Sequence, residues 1–200
     1  RLDTPEHRTV ALEAAMAGTT LVRDEGSLLP LKSEKKVAVI TFSNSEDSRS
    51  YYLEPKTFGS HLAEFLPDLE IVNCAMLDER AVHEFQVVKR AIEAAEWADV
   101  IVVGAYVKVV INRGTVGLED RYVEFFRRLV ATGKPIVLVS FGSPYLIKQF
   151  PEAATYVCCY GATEANQRAA ALLLAGRAWF RGRLPVTVTL SPEHPGTAAG

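Results

Sequence analysis

The residues of this chain best suited to chemistry gather between positions 108 and 143. Lys108, Asn112 and Arg113 are hydrogen-bond donors spread along one stretch that also holds Gly114 and Gly117, and Glu119-Asp120-Arg121 closes it. Such donors suit the oxygens of a sugar or the surface of a partner domain. An arginine fork can hold a carboxylate or several oxygen acceptors at once. Tyr106 to Leu118 is longer than a simple crossover needs, and long loops of this kind are often functional; a plain surface loop is the alternative. Glu119 and Asp120 stand where a helix begins, so stabilisation by the helix dipole explains them as well as catalysis does. Acid–base cleavage of a glycosidic bond needs two carboxyl groups flanking that bond, and neighbours on one helical turn do not face it from two sides. Ser143, between Gly142 and Pro144, reads as a helix N-cap with proline in the first position, or as part of an anion-binding helix start.

Other chemistries are excluded by pattern. Gly104 and Gly114 are isolated, and no G-x-G-x-x-G or G-x-x-x-x-G-K-[ST] joins a strand to a helix. No G-x-S-x-G elbow occurs. No cofactor is therefore expected. His7, His61, His83 and His194 are dispersed, with no metal-ligand spacing to another His or Cys, so no metal is expected either. The three cysteines, Cys74, Cys158 and Cys159, are too few and odd in number for a disulfide framework. Cys158 and Cys159 are adjacent in an apolar run, and neighbours on a strand point to opposite faces, so they read as two separate core thiols.

The elements that must position these residues follow from apolar patterning. Val37–Phe42, Ile71-Val72, Val100–Val103, Ile136–Phe141 and Tyr156–Cys159 are β-type runs, and the longer ones are continuous rather than alternating, as in parallel strands covered on both faces. Helical spacing recurs between them: Phe85, Val88, Ile92, Ala95; Tyr122, Phe125, Phe126, Leu129; Ala165, Ala169, Leu172, Leu173. A first helix starts at Thr4 with Pro5 at its first position and is expected to pack through Val10, Ala11, Ala14, Ala15 and Gly18. A short extended piece, Thr19 to Arg23, follows it. Repeated β-then-α units predict an α/β fold: a three-layer sandwich with a largely parallel sheet of about six strands and helices on both faces. Ligands in such sheets sit beyond the strands' carboxyl ends, which nominates the loops at 43–50, 105–118, 142–144 and 160–163.

At 200 residues, 48% hydrophobic and 23% charged, the chain suits one domain with a substantial core. A net charge of −2 gives no electrostatic reason to expect nucleic acid. No apolar run approaches the roughly 18 residues of a membrane span, so no membrane partner is expected. No charged n-region with a cleavage site opens the chain, and it begins at Arg1, as a processed product or an excised piece would. The expected organisation is a single domain over 1–200, with a leading helix at 1–18 and a tail at 192–200.

A resemblance runs through nearly all of the chain. An Ala-rich helix (Ala11–Ala17), an apolar stretch ending in a basic residue (Thr20–Asp24), a Leu29-Pro30-Leu31 turn, the Val100–Val103 strand, the Glu119-Asp120-Arg121 group, Gly133–Phe141 and the closing Gly182–Val186 occur in that order. In this they resemble the second domain of family 3 glycoside hydrolases, with Asp24 where the family usually has Asn. The resemblance implies an α/β sandwich with a six-stranded, largely parallel sheet, placed after a TIM-like barrel that supplies the Asp nucleophile of a retaining mechanism. It implies that barrel as N-terminal partner, and a β-linked carbohydrate substrate reached through the parent enzyme. Gly104–Asn112 and Phe141–Phe150 look closer to the β-N-acetylglucosaminidase-like members, in which an Asp–His pair on a barrel loop is the acid/base. No catalytic residue is therefore carried over; Lys108, Asn112, Arg113, Glu119, Asp120 and Ser143 are expected to face substrate or barrel. An independent flavodoxin-like binding module without hydrolytic activity is the alternative.

Overall fold

Five parallel strands and one antiparallel edge strand form the sheet of the computed structural model, which describes residues 4–43, 57–74, 81–107 and 117–188, with backbone alone over 81–85. In chain order the elements are α1 (Pro5–Gly18), β1 (Thr20–Asp24), β2 (Val37–Ser43), α2 (Phe58–Ala63), β3 (Leu69–Asn73), α3 (Ala81–Trp97), β4 (Val100–Tyr106), α4 (Asp120–Val130), β5 (Ile136–Ser140), a 3-10 turn (Pro144–Lys148), β6 (Thr155–Cys158) and α5 (Glu164–Leu174). The strand order is β1-β6-β5-β4-β2-β3. β1 runs antiparallel to β6; the other pairings are parallel.

Alternation along the buried strands builds two cores. Ala38, Ile40, Phe42, Ile101, Val103, Leu138, Tyr156 and Cys158 face α3, α4 and the 3-10 turn. Val37, Val39, Val100, Val102, Val137, Val139, Val157 and Cys159 face α2 and α5. The adjacent thiols thus lie in different cores, as their strand position predicts, and all three cysteines are free and buried. Burial pushes the Cys74 thiol up to about 12 and Cys159 higher still. Tyr122, Phe125, Phe126 and Leu129 are all buried on α4, where tilted ring pairs with Phe42 at 5.3 and 5.6 Å fix the helix to β2.

One expectation needs correction. On α1, Thr4 does cap the helix, accepting from His7 N at 3.3 Å. The packed face is not the expected one, however: Ala15 is buried and Leu12 and Met16 half-buried, whereas Val10, Ala11, Ala14 and Gly18 are exposed. Among the described elements the helix packs chiefly on α5, so one narrow seam suffices. The tail at 192–200 lies outside the described residues.

Candidate functional site

β2, β3, β4, β5 and β6 are parallel, so their carboxyl ends share one rim of the sheet. Counted over these five strands, the order 3-2-4-5-6 has its topological switch between β2 and β4, where α/β sheets bind ligands. Ser43 and Tyr106 end β2 and β4 side by side in register. Both strands run farther than the sequence indicates, so Ser43, Ala105 and Tyr106 belong to the sheet and not to loops. Lys108, Asn112 and Arg113 lie outside the described residues.

The backbone at this rim is held by buried side chains from elsewhere in the chain. The Tyr122 hydroxyl donates to the Ser43 carbonyl and, at 3.3 Å, to that of Cys74, joining the ends of β2 and β3. The Gln167 side-chain oxygen accepts from the Thr57 and Phe58 amides at 2.8 and 3.0 Å and from the Tyr106 hydroxyl at 2.7 Å. Its nitrogen donates to the Ala162 carbonyl at 2.9 Å. Gln167 is fully buried, and these bonds offset its desolvation. The Tyr106 ring stacks on Phe141 at 4.6 Å, and burial raises its phenol well above the usual range. Ser43 Oγ is buried with no hydrogen-bond partner among the described residues.

Each remaining sequence candidate has a local role as well. Glu119 occupies the N-cap position of α4 with no capping bond from its side chain. It pairs instead with Arg121, whose Nε lies 2.6 Å from Glu119 Oε2. Asp120 sits in the first turn of α4, where the dipole favours a carboxylate. Ser143 caps the 3-10 turn by accepting from Tyr145 N at 3.2 Å, and is itself buried. Glu119, Asp120 and Ser143 belong to the two segments that follow β4 and β5.

On the other face of the sheet, a charged network that the sequence does not reveal joins α2 to α5. His61 of α2 has Nε2 2.5 Å from Glu164 Oε1 and Nδ1 3.2 Å from Glu64 Oε1. Arg168 Nη1 lies 3.2 Å from Glu64 Oε1, and Thr57 Oγ1 donates to Glu164 Oε2 at 2.7 Å. The His61 bond holds the Glu64 carboxyl below its usual value. Burial would raise Glu164, but bonds from Thr57 and His61 outweigh it and bring the carboxyl down. No group of three or more His, Cys, Asp or Glu among the described residues is arranged to hold a metal, and no helix among them is long and apolar enough to cross a membrane.

A family model described as the glycosyl hydrolase family 3 C-terminal domain matches residues 19–198. Among solved structures, a family 3 beta-N-acetylglucosaminidase from Paenibacillus sp. is similar with a TM-score of 0.74 and 22% identity, over 95% of this chain and 34% of that one. The beta-glucoside phosphorylase BglX is similar with a TM-score of 0.65 and 25% identity, over 92% and 32%. A beta-glucosidase from Listeria innocua in complex with gluconolactone gives 0.69 and 22%, over 88% and 26%. The chain thus spans about a third or less of each of these structures. No curated protein sequence matches it.

Proposed function

This chain belongs to the glycosyl hydrolase family 3 C-terminal domains, and from that premise we propose that it serves an enzyme cleaving β-linked sugars as the domain without the nucleophile. Its role is to buttress a catalytic barrel and to border the substrate cleft with its carboxyl-end rim. The observation that carries this reading is the family match over residues 19–198. The rim fits it: switch point, Glu119–Arg121 pair and capped Ser143 turn all lie at the end where α/β sheets present ligands. The substrate we favour is a β-N-acetylglucosaminide, on the sequence character of Gly104–Asn112 and Phe141–Phe150. A β-glucoside is the second reading, favoured by the 25% identity to a beta-glucoside phosphorylase.

The test compares the purified 200-residue chain with the parent enzyme on aryl β-N-acetylglucosaminides and β-glucosides, with and without inorganic phosphate. The chain alone is expected to fold and turn over neither, because a double displacement needs a nucleophile and an acid/base together. The parent is expected to prefer the N-acetyl substrate. In the parent, Arg113→Ala should weaken substrate binding or domain docking more than it lowers the melting temperature. Turnover by the isolated chain, abolished by a point mutation within it, would overturn the proposal.

A further inference from the structure

Gln149 follows the 3-10 turn, inside the Phe141–Phe150 stretch, and its carboxamide makes a two-point clasp on the backbone that leads into α4. Its Oε1 accepts from the Leu118 amide at 2.8 Å and its Nε2 donates to the Leu118 carbonyl at 3.0 Å. A side-chain amide here completes both polar groups of one residue, as a neighbouring strand would. The approach needs the glycine next door: a Cβ on Gly117 would lie 2.6 Å from Gln149 Cδ and closer still to Oε1. The same chain segment supports the end of β4 as well. A Cβ on Gly142 would run into the Val107 carbonyl, so the start of this segment is pressed against the backbone just beyond Tyr106. Ser140, Ser143 and Tyr156 tie the segment down in turn: Ser140 Oγ donates to the Ser143 carbonyl at 2.9 Å, and the Tyr156 hydroxyl lies 3.2 Å from that carbonyl and 3.1 Å from that of Pro144. Phe150 packs edge-on against Phe126 of α4 at 4.7 Å.

We propose that Gln149 is a positioning residue for the rim: through its clasp on Leu118 it fixes Glu119, Asp120 and the Arg121 pair at the start of α4 in the place from which they meet substrate. This role rests on the sugar-cleaving reading given above. Gln149 touches no reacting atom; it acts through the Leu118 backbone. Gly117 is part of the same device, since only a residue without Cβ leaves room for the carboxamide.

Two variants break the clasp from opposite sides. Gln149→Leu removes both polar atoms, and Gly117→Ala expels the carboxamide while leaving Gln149 in the sequence. In the 200-residue chain, each should speed hydrogen exchange at the Leu118 amide by about tenfold or more, the scale of one lost hydrogen bond. The double variant should add little, because both remove one interaction. In the parent enzyme each should raise KM by about tenfold with kcat within about twofold, as lost ground-state positioning does. Unchanged exchange at Leu118 would overturn the clasp. Faster exchange with unchanged KM in an active parent would reduce Gln149 to a structural role and overturn the positioning claim. An inactive wild-type parent would sink the sugar reading and the positioning role with it, while the exchange result would still report on the clasp.

Discussion

The edge where the chain closes on itself and the rim where the parallel strands end are built from opposite kinds of sequence. At the closing edge, motif residues do the holding. Gly182 of the closing motif crosses the α1–β1 junction, where a Cβ would lie 2.5 Å from the carbonyls of Gly18 and Thr19. Gly176, at φ +68, brings the end of α5 against Pro30, and Leu31 N donates to the Leu174 carbonyl at 2.8 Å. Arg23 Nη1 donates to the carbonyls of Pro151 and Ala153 at 2.8 and 3.0 Å. At the rim, the holding is done by Tyr122, Gln149 and Gln167, of which only Gln149 lies in a stretch that carries the resemblance, Phe141–Phe150. The head and tail motifs therefore mark how the chain is closed, and say little about the chemistry at the other end.

The largest effect that can break this comparison is at Gly182. Gly182→Val places side-chain carbon against two backbone carbonyls, which cannot swing aside as a side chain can. Overpacking of this kind costs about 3 kcal/mol, or roughly 6–12 °C of melting temperature in a chain of this size. Differential scanning calorimetry checks it. A wild-type melting temperature would show that the head and tail motifs do not close the domain.

A smaller effect sharpens the account of Asp24, the departure from the family's usual Asn. Its Oδ1 accepts from Leu28 N at 2.9 Å and Thr155 Oγ1 at 2.9 Å, and its Oδ2 from Leu29 N at 3.3 Å. All three partners donate, so a carboxylate satisfies them and an amide NH2 would oppose one. Asp24→Asn should cost about 1 kcal/mol, the net value of a typical hydrogen bond, measured by urea denaturation. An unchanged midpoint would show that the amide repacks with no loss.

Legibility followed burial. β2, β4 and β5 are covered on both faces, and their runs of Val, Ile and Phe are plain in the sequence. β3 is an edge strand with one buried residue, Val72, so only Ile71-Val72 registered. α2 is six residues long and holds Gly59, Ser60 and His61, too short and polar to show a period. Gln167 was invisible because a glutamine on a helix ordinarily reads as surface; its one signal is its place among Ala169, Ala170 and Ala171 on the buried face. The candidate rim is legible from strand ends alone, and Ser143 and Glu119 stand at element starts, as their neighbours in the sequence indicate. The side chains that tie the rim together come from distant segments, and no local spacing encodes a contact between positions 57 and 167.

The smallest effect tests whether charge adds to the rim what motifs add to the edge. Glu164 and Glu64 clasp His61 from α5 and from within α2's own segment, and both carboxyls titrate below their ordinary value of 4.5. A carboxyl lowered by folding stabilises the folded state above its unfolded value, and that contribution drains away as pH falls through the lower, folded value. Stability should therefore decline below about pH 4.5, and Glu164→Gln should flatten that decline while leaving the Gly182 edge untouched. Both carboxylates are substantially exposed, with side-chain exposures of 56% and 44%, so solvent screening keeps the effect modest. Urea midpoints for wild type and Glu164→Gln between pH 3 and pH 7 check it, on the unfolded carboxylate scale of about 4.3. Parallel curves for the two proteins would mean that the His61 network is held by shape and not by charge, and the rim would then resemble the closing edge after all.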